Sequence, residues 1–120
     1  MGMALFAVES RLQKEDMYYW TKDEAFLDFM EYTHWRADAK LVRRWFNMSA
    51  DTIDWLMGMG TQFSGACTNT SKNSHKTQHI IKVPGTNKPT ERCASVNIKN
   101  MTDYGVELGW TSNSTLQSRI

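Results

Sequence analysis

The sequence predicts an α+β chain: a mostly helical first half, a loop-rich middle and a closing helix-to-strand unit. Three observations predict it. Apolar residues from Phe26 to Leu56 recur at helical spacing, interrupted by a cap signal. Residues 61–90 are rich in Ser, Thr, Asn, Lys and Gly, the composition of loops. Val106, Leu108 and Trp110 then alternate with polar or small residues, the period of a strand. The organisation read from this is 1–60 helical, 61–90 loop-rich and 91–120 a helix followed by a strand.

Taken in order, residues 4–14 are expected as a short helix, with Leu5, Val8 and Leu12 on one face. Thr21 and Glu24 have capping-box spacing, and Trp20 and Ala25 sit at staple positions around them. The helix they open lines Phe26, Phe29, Met30 and Thr33 along one side. Asp38 is the next N-cap. Val42, Trp45, Phe46, Ser49, Ile53, Leu56 and Met57 follow it as one long helix, or as two in line bent near Asn47-Met48-Ser49. Gly58 and Gly60 supply the stop. His79–Val83 is a strand ended by Pro84-Gly85. Thr90 caps a helix running to about Tyr104, with Ala94, Ile98 and Met101 on one side and Gly105 as its stop. So few strands must either pair with one another or belong to a sheet completed elsewhere.

The 120 residues suit one domain or a piece of a larger one. A net charge of +1 gives no general attraction to nucleic acid or anionic membranes. The charge is uneven: residues 1–60 carry 7 basic and 10 acidic side chains, residues 61–120 carry 7 and 3. No apolar run reaches the ~18–20 residues of a membrane span. "MGMALFAV" is too short for a signal core and lacks a basic flank, so the compartment defaults to the cytoplasm. Two cysteines do not make a disulfide framework.

Little in the chain spells chemistry. His75 and His79, with Cys67 and Cys93, allow a Cys2His2 zinc site to be drawn. The paired C-x2-C spacing is missing, however, and no metal ligand is assigned; the histidines read as ordinary polar-loop residues. His34-Trp35-Arg36 could clamp a carboxylate, but it also reads as the closure of one helix before Asp38. Arg43-Arg44 reads as solvated surface opposite Val42 and Phe46. Walker, G-x-G-x-x-G and G-x-S-x-G patterns are all missing, and no catalytic residue is assigned.

Four pieces in order carry a resemblance: Gly2 to Gln13, Arg36 to Gly60, Ser74 to Lys76 and Met101 to Ile120. The second piece sets Asp38 before Leu41-Val42, then Ser49, Thr52-Ile53, Trp55-Leu56 and Gly60. The chain resembles the flavoprotein family of fumarate reductase and succinate dehydrogenase, nearest the soluble fumarate reductases, urocanate reductases and ketosteroid dehydrogenases. The resemblance covers about half the chain.

It implies an internal fragment of an FAD-binding, Rossmann-like α/β domain. Gly2, Met3 and Ala4 would run past the flavin, with Ala4 where the family has Asn. Ser114 would lie near the adenine. Trp45, Trp55 and the apolar stripe would be wall, and the final helix and strand a βαβ return into the FAD-domain sheet. The implied partners are the rest of a flavoprotein chain and an unsaturated acid or related acceptor. The implied cofactor is FAD, with weak or no binding by this chain alone. The competing reading is a free-standing helical interaction module without a cofactor.

Overall fold

The computed structural model describes residues 4–68, 75–83, 85 and 94–110. They form a small α+β unit of four helices and a three-stranded antiparallel sheet. The elements are β1 (Ala4–Phe6), α1 (Arg11–Glu15), α2 (Lys22–Tyr32), α3 (Ala39–Gly58), β2 (Phe63–Thr68), β3 (Lys76–Ile81) and α4 (Ala94–Glu107).

The two expected caps form. Thr21 accepts from the Glu24 amide while the Glu24 carboxylate takes the Thr21 amide at 2.9 Å, opening α2. Asp38 accepts from the Lys40 and Leu41 amides and opens α3. That helix is one unbroken element of 20 residues, without an interruption at Asn47-Met48-Ser49. Its buried positions Val42, Phe46, Ser49, Ile53 and Leu56 form a single stripe. Val42 and Phe46 join Val8, Ala25 and Met30 in the core, with Phe6, Trp20, Phe26 and Phe29 packed around it.

All four helices end alike. In each, the residue after the C-cap takes a left-handed conformation: Met17 (φ 54°), His34 (φ 53°), Gly60 (φ 99°) and Gly109 (φ 92°). The next amide reaches back five residues: Tyr18 to the Gln13 carbonyl, Trp35 to Met30, Thr61 to Leu56 and Trp110 to Gly105. These are Schellman closures, which satisfy carbonyls the last turn leaves orphaned. His34-Trp35-Arg36 is thus the closure of α2, as the sequence suggests.

Several expectations are corrected. Residues 4–14 are not one helix: Ala4–Phe6 pair with β3, and α1 starts only at Arg11. The i, i+3 spacing of Leu5 and Val8 is helical, but Val8 lies beyond β1, and pairing with β3 makes Ala4–Phe6 a strand. The stretch read as loop contains β2, and β3 begins at Lys76, ahead of His79. Val106–Trp110 is not a strand. Val106 lies in α4, and Leu108, Gly109 and Trp110 close that helix. Gly105 is not the stop either; it sits inside α4, where a Cβ would meet the Trp110 ring at 3.5 Å. The described strands are all antiparallel, so they do not supply the parallel βαβ return. The Thr90 cap lies outside the described residues.

In the sheet, β3 is central, with β1 on one side (Ala4 opposite Ile80, Leu5 opposite His79) and β2 on the other (Phe63 opposite Ile81, Ala66 opposite His79). Along β3, Thr77, His79 and Ile81 are buried and their neighbours are not, the alternation of a sheet with one covered face. Helix α4 is moored at Thr61, whose hydroxyl donates to Asn97 Oδ1 at 2.8 Å and accepts from Asn100 at 3.4 Å.

Candidate functional site

The β1–α1 turn is densely hydrogen-bonded to four other elements. The Ala7 amide continues the sheet pairing onto the Thr77 carbonyl at 3.0 Å. The Val8 amide donates to Ser49 Oγ on α3 at 3.1 Å, and Ser49 donates onward to the Phe46 carbonyl at 2.9 Å. Glu9, in a left-handed conformation (φ 57°), aims its carboxylate at the Lys22 amide at the start of α2, 2.9 Å away. Ser10 and Gln13 form a capping box for α1, and Gln13 Nε2 also donates to the Lys76 carbonyl. One turn therefore grips α1, α2, α3 and β3 together.

At its centre Ser10 Oγ meets His79 Nε2 at 2.5 Å. His79 Nδ1 faces the Thr77 carbonyl at 3.1 Å, so Nδ1 carries the proton and the Ser10 hydroxyl donates to Nε2. Burial holds His79 below its ordinary value near 6.5, against hydrogen bonds to the Thr77 and Leu5 carbonyls that favour the charged form. A serine bonded to a neutral histidine has the form of an activated nucleophile. Here both residues are 0% exposed and the serine oxygen also accepts the Gln13 amide, so no substrate reaches it. The pair positions; it does not attack.

The second histidine has its own partners. His75 lies flat on Trp20, ring centroids 3.7 Å apart and planes 5° apart. Its Nδ1 is bonded to the Tyr18 hydroxyl, and Nε2 is 3.7 Å from Asp28 Oδ2. His75 and His79 are therefore not the free polar-loop residues of the sequence reading. Both tie β3 to the segment around α1. Cys67 lies on β2 opposite Gln78, and Cys93 is outside the described residues. Among the described residues no group of three or more His, Cys, Asp or Glu is placed to hold a metal ion.

Two concavities flank this turn. A groove of about 360 Å³ lies between Leu5 and Phe6 of β1, the α3 residues Trp45, Met48, Thr52 and Trp55, and Asn97 and Met101 of α4. An open polar cleft of about 620 Å³ lies at the C-terminal end of α3, between Arg11, Asp54, Gly60, Gln62 and Lys82. The carbonyl end of α3 faces the same cleft, which Arg11 and Lys82 offset.

Of the four residues expected near a flavin, Ala4 is placed; Gly2, Met3 and Ser114 lie outside the described residues. Ala4 sits on β1, whose other edge pairs with no described strand. The β1–α1 turn does not fit the pyrophosphate. Its one position that is not buried is the half-buried Glu9, whose carboxylate is an anion, and Ser10 and Gln13 already occupy the first amides of a five-residue helix. The described residues therefore hold no cradle for a pyrophosphate. Arg43, expected on the solvated face of α3, is partly exposed there, pairs with Asp23 at 2.5 Å and lies over the Phe26 ring. The sequence reading missed the turn's polar network, although Ser10-x-x-Gln13 carries capping-box spacing in plain view.

With this geometry in hand, the comparisons define a class and no more. The chain is similar to vinyl phenol reductase of Lactiplantibacillus plantarum (strain ATCC BAA-793 / NCIMB 8826 / WCFS1), with 32% identity over 81 residues, 68% of this chain. The matched stretch spans about 16% of that relative's length. No family model matches the chain, and no solved structure matches it. The link is thus to a reductase, through a segment of it. No helix among the described residues is long and apolar enough to cross a membrane.

Proposed function

We propose that this chain is a scaffold segment of an FAD-dependent oxidoreductase that reduces or desaturates an activated carbon–carbon double bond. The observation that carries the reading is the 81-residue similarity to a reductase named for vinyl phenol, a compound with such a bond. It agrees with the independent order of motifs from Asp38 to Gly60 that resembles the fumarate reductase flavoproteins.

In this reading the unit belongs to a Rossmann-like FAD-binding domain. Gly2, Met3 and Ala4 pass the flavin and Ser114 lies near the adenine. The bound flavin supplies the redox chemistry. This chain's own contribution is position: the turn Val8–Gln13 fixes β1 against α3 and β3, and so fixes the strand that carries Ala4. The phosphates are held outside the described residues, and the chain alone is inactive.

Sequencing the DNA on both sides of the reading frame tests this. The expected result is an in-frame strand with a G-x-G-x-x-G turn upstream and a capping domain downstream. Stop codons immediately on both sides would overturn the reading. So would turnover of fumarate by the purified 120-residue chain with reduced flavin.

A further inference from the structure

Helix α3 carries two apolar stripes, of which the fold uses one. The inner stripe, Val42, Phe46, Ser49, Ile53 and Leu56, is buried. The outer stripe is Leu41, Trp45, Met48, Thr52 and Trp55, with spacings of four, three, four and three residues, the spacing of a coiled-coil seam. It stays open: Leu41 is 68% exposed, Trp45 49%, Met48 51% and Trp55 55%. Two tryptophans and a methionine along one helix face are the residue types that dominate protein–protein contacts. The same stripe forms one wall of the groove against Leu5, Phe6 and Met101.

The charges beside this stripe indicate what covers it. Lys40 and Arg44 flank its N-terminal half and Asp51 its C-terminal half; all three are exposed. Neither Arg44 nor Asp51 has an ion-pair partner among the described residues. A helix that is basic at one end and acidic at the other complements itself when reversed. Turned about a two-fold axis at Met48, a second α3 sets Leu41 against Trp55 and brings Trp45 to Thr52 and Arg44 to Asp51 within about one residue's rise, each twice by symmetry. The antiparallel arrangement also sets the two helix dipoles head to tail.

We propose that α3 is the interface of a two-fold homodimer, the outer stripe of one copy lying along that of the other with Arg44 paired to Asp51 across the axis. The inference concerns the 120-residue chain by itself and is tested apart from the oxidoreductase reading. Its test is sedimentation equilibrium of the full chain over a range of concentrations, at low and high salt. A dimer that weakens with salt is expected. Arg44→Asp alone and Asp51→Arg alone each weaken it about tenfold, since each turns two attractions into repulsions. The double variant, Arg44→Asp with Asp51→Arg, restores it. Both residues are exposed, so circular dichroism should show unchanged folding in every variant. A monomer throughout, with the stripe left for another segment or partner, overturns the proposal. A ladder of larger species, or a dimer indifferent to the reversals or not restored by the double variant, overturns it equally.

Discussion

Ser10 and His79 are 69 residues apart in sequence and share a fully buried hydrogen bond of 2.5 Å. With Nδ1 donating to the Thr77 carbonyl, Nε2 of the neutral ring accepts from Ser10. Burial lowers the His79 pKa in the folded chain, so the unfolded chain takes up the proton first. Stability is therefore complete above the ordinary histidine value and is lost as pH falls from there toward the lowered folded value. Urea midpoints should fall as pH drops below the ordinary histidine value, and His79→Gln should remove most of that slope although it lowers stability throughout. Glu24 acts in a different window. Chiefly the Thr21 amide holds it below its ordinary 4.5, so its contribution is present above that value and is lost as pH falls through the lowered one.

Ser49 joins the turn to the long helix by accepting the amide of Val8, a residue with 0% exposure. Ser49→Ala leaves that amide buried without a partner and should cost about 1–3 kcal/mol in urea unfolding. Ser49→Thr keeps the oxygen and should cost less, which separates the lost acceptor from a change in packing.

Phe46 and Trp55 are both aromatic residues on α3, and the structure gives them opposite weights. Phe46 is 1% exposed and packs against Phe6, Phe29 and Trp45. Phe46→Ala should cost about 3–5 kcal/mol. Trp55 is 55% exposed, and Trp55→Ala should shift folding stability by less than about 1 kcal/mol. The comparison is to be made by chemical denaturation at a concentration low enough that the chain is monomeric.

Gly58 and Gly60 were equivalent stops in the sequence and are not equivalent in the fold. Gly58 is helical with open space where a Cβ would stand. Gly58→Ala should therefore stabilise by about 0.5–1 kcal/mol. Gly60 holds φ at +99°, so Gly60→Ala should destabilise by about 1 kcal/mol or more, although nothing lies near its Cβ either. Thermal unfolding of the two variants checks the opposite signs.

The caps at Thr21 and Asp38, the inner stripe of α3 and the closure at His34 were legible because each depends on residues within a turn or two of one another. The first residues failed for the same reason. Leu5 and Val8 look helical locally, and only β3, more than seventy residues on, makes a strand of Ala4–Phe6. Gly105 was a natural stop, yet Trp110 folds back over it and the left-handed position falls to Gly109. The two-histidine spacing was visible, but its meaning was not. Spacing along β3 cannot say that one ring goes to Ser10 and the other to Trp20.

By itself the sequence determined where α2 and α3 begin and which side of α3 is apolar. Those properties follow from local hydrogen bonding and periodicity. The tertiary structure alone decided that the strands pair antiparallel with one another, that His79 is a buried acceptor, and that half of the tryptophan-bearing surface of α3 stays uncovered. Each of these depends on which distant segment removes a group from water, and that is a property of the assembled chain.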